Sequence, residues 1–336
     1  MIVKLRGFGV GATGVLLSAL LIPAFRLLHI PRFNPRLIAI FVAAWFIVSL
    51  FGSLFFAGLG FPKEVVRQLK RRGDSIPVPW TTLADVFLPL AYFAAGFLLM
   101  SAYNYVIAVL CFDGRYDLLL DQVDRALLHG HSVGGIVYRL LQMPSLRWIF
   151  PLAQAIYGLL FPQIGAVAIL LSLVVGRKES LRYVSALLTA YALALLIFAA
   201  VPAGGPAMIY KNHFDNLPSL RATVAYQKFV EAQLTAVLQK MPSRMIGPAY
   251  LIACPALHLT QPLIMFWFVR RWRRLRLFLV VYIALLIPSI LLLEEHYLVD
   301  LIVGCAVAVV AVAVTMPRHT ARTSNPVEAA TPCGAS

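Results

Sequence analysis

Charge is scarce in this 336-residue chain: Asp, Glu, Lys and Arg make up 13% of it, with 14 acidic residues against 29 basic ones. A water-soluble domain carries about a quarter charged residues, so a soluble enzyme is excluded as the body of the protein. Cysteine is scarce too. Cys111, Cys254, Cys305 and Cys333 show neither the spacing of a zinc site nor an even disulfide framework. The first three lie in or beside apolar runs, where a small core residue is expected. Internal repeats are absent. What the sequence has in excess is apolar residues, 61% of the total, at a mean hydropathy of +0.83.

Apolar runs of about 20 residues mark bilayer-crossing helices. The expected fold is therefore all-α, a polytopic membrane bundle of about eight transmembrane helices with amphipathic helices on its outer face. The spans are expected near 8–25, 37–61, 83–111, 146–175, 181–203, 247–269, 277–293 and 297–316. Lys4 and Arg6 precede the first run as they would in a signal peptide, but Pro23 and Phe25 make a poor cleavage site, so a retained span is expected. The organisation expected is N-terminal transmembrane helices over 1–110, a second membrane domain over 111–316 and a polar, disordered tail over 317–336.

Lys and Arg set the orientation. Dense clusters at Lys63 to Arg72, Arg177 to Arg182 and Arg270 to Arg276 fall in short connections on one side. They place that side, with both termini, in the cytoplasm. The net charge of +15 then reflects topology and anionic lipid, and no nucleic-acid partner is expected. Asp113 to Met143 alternates Leu118, Leu119, Val123, Leu127 and Leu128 with Asp117, Asp121, Asp124 and Arg125 at helical spacing, which predicts an amphipathic helix on the outer surface. Pro218 to Met241 predicts a second surface helix.

Three polar features converge on the outer face. His296 and Asp300 stand four apart at the seam of the last two spans, one helical turn from each other. His258 lies near the outer start of the sixth span. Gly204 and Gly205, between Pro202 and Pro206, end the fifth span in a turn whose N–H groups suit an anion. Ionisable groups at such depth are functional candidates, and an imidazole beside a carboxylate can serve as base or nucleophile. A metal held by His258, His296 and Asp300, a buried polar pair that locks two helices, and a proton relay in a transporter are the alternatives at this point. His213, with the remaining histidines, falls in loops and carries no expectation.

Pro255-Ala256-Leu257-His258 and His296-Tyr297-Leu298-Val299-Asp300 resemble the last two signature motifs of the type-2 phosphatidic acid phosphatase superfamily. The second motif, followed by Leu301-Ile302 and Gly304, is most similar to the branch of inositol phosphorylceramide synthase and sphingomyelin synthase. Val201 to Pro206 resembles a Gly/Pro-rich turn of bacterial relatives. The resemblance covers residues 110–316. It implies an integral-membrane phosphotransferase, or a lipid phosphate phosphatase, in the inner membrane of a bacterial cell, with the active site on the outer face and no cofactor. His296 would be the nucleophile, Asp300 would orient it, and His258 would protonate the leaving oxygen and then activate an alcohol or water. The partners implied are a membrane lipid and that acceptor. Two departures stand out: Ala256 replaces a Ser, and Ile290 replaces the Arg of the phosphatase branch. Lys211, Arg221 or Arg244 would have to compensate the phosphate charge, and Glu295, with Glu294, would bind acceptor hydroxyls. Gly204, Gly205, Glu295 and Lys211 are thus the expected substrate-binding residues. An inactive scaffold remains an alternative, given Ala256.

Overall fold

The computed structural model describes residues 43, 45–53, 83–211, 213–241, 251 and 253–316. Among them there is no strand. From Leu83 onward ten helices follow in order: α1 Leu83–Cys111, α2 Arg115–Leu127, α3 Val133–Leu141, α4 Ile149–Gly158, α5 Leu160–Val174, α6 Arg177–Ala200, α7 Arg221–Leu238, α8 Leu257–Val269, α9 Arg273–Leu292 and α10 Leu298–Thr315. Single 3-10 turns at Pro144–Leu146, Pro206–Met208 and Pro218–Leu220 join some of them.

Five stretches are long and apolar enough to cross a membrane: Asp85–Cys111, Pro144–Val174, Arg177–Ala200, Arg273–Leu292 and Leu298–Thr315. The protein is thus an integral membrane protein with an all-helical fold. The expected spans 8–25 and 37–61 lie almost wholly outside the described residues, of which 45–53 are helical. The expected sixth span is shorter than its apolar run. Helix α8 has 13 residues, about 20 Å at 1.5 Å per residue, against a hydrocarbon core of about 30 Å. Residues 253–256 just before it are not helical, and their backbone is engaged elsewhere. Ala253 N–H donates to the Ala203 carbonyl and Ala256 N–H to the Asp300 carbonyl, each at 3.0 Å. Non-helical backbone is tolerated at such depth only when its polar groups are satisfied in this way.

The core runs between α5, α6, α8, α9 and α10, with Leu187, Ile264, Trp272, Leu279, Leu286 and Ala311 almost fully enclosed. Side chains such as Leu196, Leu277 and Val309 point outward from the same helices, as lipid-facing positions do. Of the three cysteines placed in the core by sequence, Cys254 is buried and Cys305 is exposed. Helix α1 packs along α6, and Arg177 Nη1 meets Asp85 Oδ1 at 2.8 Å. Their N-termini therefore share one end of the bundle. Arg177, Lys178, Arg273 and Arg274 crowd helix N-termini at that end. Cations there oppose the helix dipole, so their positions answer to topology rather than helix stability.

Gly304 marks where α8 and α10 approach most closely. Thr260 Oγ1 donates to the Gly304 carbonyl at 2.9 Å. A Cβ at Gly304 would stand 2.8 Å from the Ala256 carbonyl oxygen and 3.1 Å from Thr260 Oγ1. Small residues permit such contact between membrane helices. Gly304→Val is therefore expected to destabilise the bundle by about 1–3 kcal/mol through overpacking. The measurement is the thermal unfolding midpoint of the solubilised protein, and an unchanged midpoint would contradict the close approach.

Candidate active site

His258 occupies the first turn of α8, and His296 sits in the turn between α9 and α10. The fold brings them together. His258 Nδ1 lies 3.3 Å from His296 Nε2, with ring centroids 5.5 Å apart. His296 Nδ1 lies 2.6 Å from the Ala253 carbonyl oxygen. A carbonyl only accepts, so the proton sits on Nδ1 and Nε2 keeps its lone pair. Asp300 Oδ2 is farther from that Nδ1, at 3.7 Å, and accepts from Tyr297 N–H at 2.9 Å. The ring is thus oriented first by a backbone carbonyl, with Asp300 adding a carboxylate behind it. Tyr157 stacks on His258 at 4.2 Å between centroids and its hydroxyl lies 3.1 Å from Nδ1. Sequence reasoning gave no sign of Tyr157, which sits 101 positions away from its partner.

The pair opens into a cavity of about 880 Å3, part of it open to the exterior, lined also by Gly204, Lys211, His213, Gln227, Glu294 and Glu295. Of the substrate-binding residues expected from sequence, Gly204, Glu295 and Lys211 line it. The nest formed by Gly204 and Gly205 is already filled. Asp117 Oδ1 accepts from Gly204 N–H at 3.0 Å and from Gly205 N–H at 2.8 Å, and also from the Tyr297 hydroxyl at 3.1 Å. The expectation that this turn offers its N–H groups to phosphate is therefore corrected: the anion it holds is a side chain of the protein. Gly205, at φ 106°, is needed for a different reason. A Cβ there would lie 3.0 Å from the Glu295 carbonyl oxygen, so glycine lets the turn press against the His296 loop.

Asp117 belongs to α2, whose face is the reverse of a soluble amphipathic helix. Leu118, Leu119 and Leu127 are 59%, 49% and 46% exposed, while Asp117 and Asp124 are 2% and 0% exposed. Spacings of four and three place Asp117, Asp121 and Asp124 in one stripe. Asp124 accepts from Leu298 N–H at 2.7 Å and from Val299 N–H at 3.0 Å, so it closes two of the open donors at the start of α10. Asp121 accepts from the Tyr210 hydroxyl at 2.7 Å and pairs with Arg125 at 2.8 Å. Burial pushes the Asp117 carboxyl up to about 6, against the downward pull of the two glycine N–H groups. Burial also raises Asp124. The stripe was visible in the sequence. Its direction was not, because the groups it bonds, the N–H groups of Gly204, Gly205, Leu298 and Val299, lie far away in the chain.

Among the described residues, Lys211, Lys228 and His213 of the cavity wall are each paired with a carboxylate. Lys211 meets Glu231 at 2.5 Å, Lys228 meets Asp215 at 2.8 Å, and His213 Nδ1 meets Glu294 Oε1 at 2.8 Å. The hydrogen bond it donates to Glu294 raises the His213 pKa above its ordinary value. Glu294 itself is raised by burial, and it holds φ 55°, a left-handed conformation that costs a residue with a Cβ about 1–2 kcal/mol. Burial pushes Glu295 up to about 7. Arg221 is exposed at the start of α7 and takes no part in the wall. Arg244 lies outside the described residues. Ile290, where the phosphatase branch has Arg, is enclosed in the core. Among the described residues no cluster of three or more His, Cys, Asp or Glu side chains is arranged to hold a metal ion.

Paired imidazoles beside a cavity in a helical membrane bundle can serve as acid, base or nucleophile, and the comparison with known families says which chemistry to expect. The model of the PAP2 superfamily matches residues 123–314, more than half of the chain, and the protein belongs to that superfamily. Membership points to phosphatase or phosphotransferase chemistry. No curated protein and no solved structure matches the chain.

Asp124→Ala would strand the Leu298 and Val299 N–H groups. Each unsatisfied buried donor costs about 1–3 kcal/mol, so a loss of about 2–4 kcal/mol is expected, with Asp124→Asn recovering part of it. Thermal unfolding in lipid nanodiscs measures this, and equal midpoints for all three proteins would show that α2 does not hold the start of α10.

Proposed function

We propose that this protein is a lipid phosphotransferase of the branch that moves phosphate-linked head groups between alcohols. His296 Nε2 attacks phosphorus and forms the N–P bond, while the P–O bond to the lipid alcohol breaks. His258 gives its proton to that oxygen, which leaves as the lipid alcohol. An acceptor hydroxyl then attacks phosphorus as His258 takes its proton, and the N–P bond breaks. The Ala253 carbonyl and Asp300 hold the His296 ring and stabilise the imidazolium character it gains. The separation of 3.3 Å between the two nitrogens leaves no room for phosphorus, so the rings part as substrate enters the in-line path.

The observation that favours a phosphodiester donor, and with it the head-group transferases over the monoester phosphatases, is the charge balance of the described cavity wall. A phosphate monoester is largely dianionic near neutral pH and calls for surplus positive charge, which the phosphatase branch supplies with an arginine. Here each lining cation already faces a carboxylate, and the arginine position is a core isoleucine. A phosphodiester carries one negative charge and is matched by one imidazolium. A phosphoinositol-type head group joined to a lipid is a donor of that kind. The carboxylate of Glu295, with Gln227 bonded to it, suits the hydroxyls of a polyol acceptor. The unit that carries this chemistry is residues 111–316, with α1 packed on its flank. The basic end of the bundle faces the cytoplasm and the cavity faces the outer side of a bacterial inner membrane.

His296→Ala and His258→Ala are each expected to abolish turnover in folded, membrane-inserted protein. A screen of lipid extracts with mass readout, with and without inositol, separates transfer from hydrolysis. Acid-labile phosphate trapped on His296 supports the mechanism, and normal turnover by either variant overturns it. Glu295 accepts hydroxyl protons only as the carboxylate, the form populated above about pH 7. The acceptor KM is therefore expected to fall as pH rises through that value, and Glu295→Gln to remove the dependence. A wild-type KM that stays flat across that range would rule out the role given to Glu295.

A further inference from the structure

The mechanism leaves one buried imidazole–carboxylate pair of the same cavity unused. His213 lies in the cavity wall with His258 and His296, and Glu294 is only 1% exposed. Tyr138 from α3 and Tyr210 from its own segment flank the ring, with centroids 5.4 and 5.6 Å away. Tyr210 is held in turn by Asp121 and Arg125 of α2. With Nδ1 committed to Glu294, the ring has Nε2 left for a ligand.

We propose that the His213 imidazolium, held by Glu294, is the counter-charge that binds the phosphodiester oxygen of the donor. This rests on the phosphotransferase reading and specifies how that site meets its anion without an arginine. The geometry is that of a carboxylate supporting an imidazolium that faces a second anion, a device that keeps a histidine charged and fixes which nitrogen points forward. The two lysines of the wall are weaker candidates. Their side chains are 46% and 54% exposed, against 18% for His213, so water screens them more strongly. Glu294 keeps a left-handed backbone that glycine would adopt without strain. What the position retains is the carboxylate.

Other charges also face His213. Lys211 and Asp215 flank it in sequence, Lys228 and Glu231 come from α7, and Glu295 adjoins Glu294. Of these, Glu295 changes charge near neutral pH and works against anion binding as pH rises. His258 and His296 complete the wall. The test therefore removes these three groups. Binding of dibutyl phosphate, a monoanion throughout the neutral range, is measured by calorimetry on the full-length solubilised protein carrying His258→Gln, His296→Gln and Glu295→Gln.

In that background, affinity is expected to fall about tenfold as pH rises through the raised pKa of His213, the worth of one charge-assisted hydrogen bond. Adding His213→Gln is expected to weaken binding about tenfold at the acidic end and to abolish the pH dependence. Adding His213→Lys is expected to keep tight binding at the alkaline end, which a merely structural histidine would not predict. Unfolding midpoints close to that of the background protein establish that the variants fold. Affinity indifferent to His213→Gln, or lost equally in the Lys variant despite a normal midpoint, overturns the inference. Phosphate trapped on His296 together with such indifference overturns this inference alone. Absence both of trapped phosphate and of dibutyl phosphate binding overturns the function itself.

Discussion

Buried carboxylates that close backbone N–H groups hold this site together. Helix α6 ends, an extended segment crosses, and α10 begins at one level of the bundle. Each break in helical structure exposes donors that the bilayer does not satisfy. Asp117 takes the N–H groups of the Gly204–Gly205 turn and Asp124 takes those at the start of α10. The Ala253 and Asp300 carbonyls accept from His296 and Ala256 respectively. Once those bonds are made, the His296 loop has little freedom, and its ring faces His258 across a hydrogen-bond distance.

Charge explains the rest of the cavity. A site for phosphorus usually advertises itself with arginine, and the described wall has none. Its cations come in pairs with carboxylates, so the net field is small and the wall works by placed donors instead of bulk positive potential. Such a wall favours a substrate whose own charge is low and whose surroundings are rich in hydroxyls. The family to which the chain belongs points to phosphatase or phosphotransferase chemistry, and it is on this balance that the proposed phosphodiester donor rests.

Much of this was legible in the sequence. Apolar runs pointed to the helical class, and of the basic clusters Arg177 to Arg182 and Arg270 to Arg276 fall at one end of the bundle, while Lys63 to Arg72 lies outside the described residues. The expectation that His258, His296 and Asp300 share one face anticipated their adjacency in the fold. What was not legible depends on contacts across the chain. Tyr157 and His213 carry no motif, and their value comes from partners 101 and 81 positions away. The Gly204–Gly205 turn was readable as an anion nest, yet its occupant could be named only once α2 was seen beneath it. The length of α8 was overread because an apolar composition does not say which backbone groups are bonded elsewhere.

The reversed face of α2 has a wider consequence. Leu118, Leu119 and Leu127 point away from the protein while Leu120, Asp117, Asp121 and Asp124 point in, an outer face that hydrocarbon solvates better than water. A bilayer solvating that outer side would help hold the helix where Asp117 meets the Gly204–Gly205 turn and Asp124 meets the Leu298 and Val299 N–H groups beside the His296 loop. Lipid composition at that depth becomes a variable of the catalytic geometry, and this protein is assembled as much by its surroundings as by its own packing.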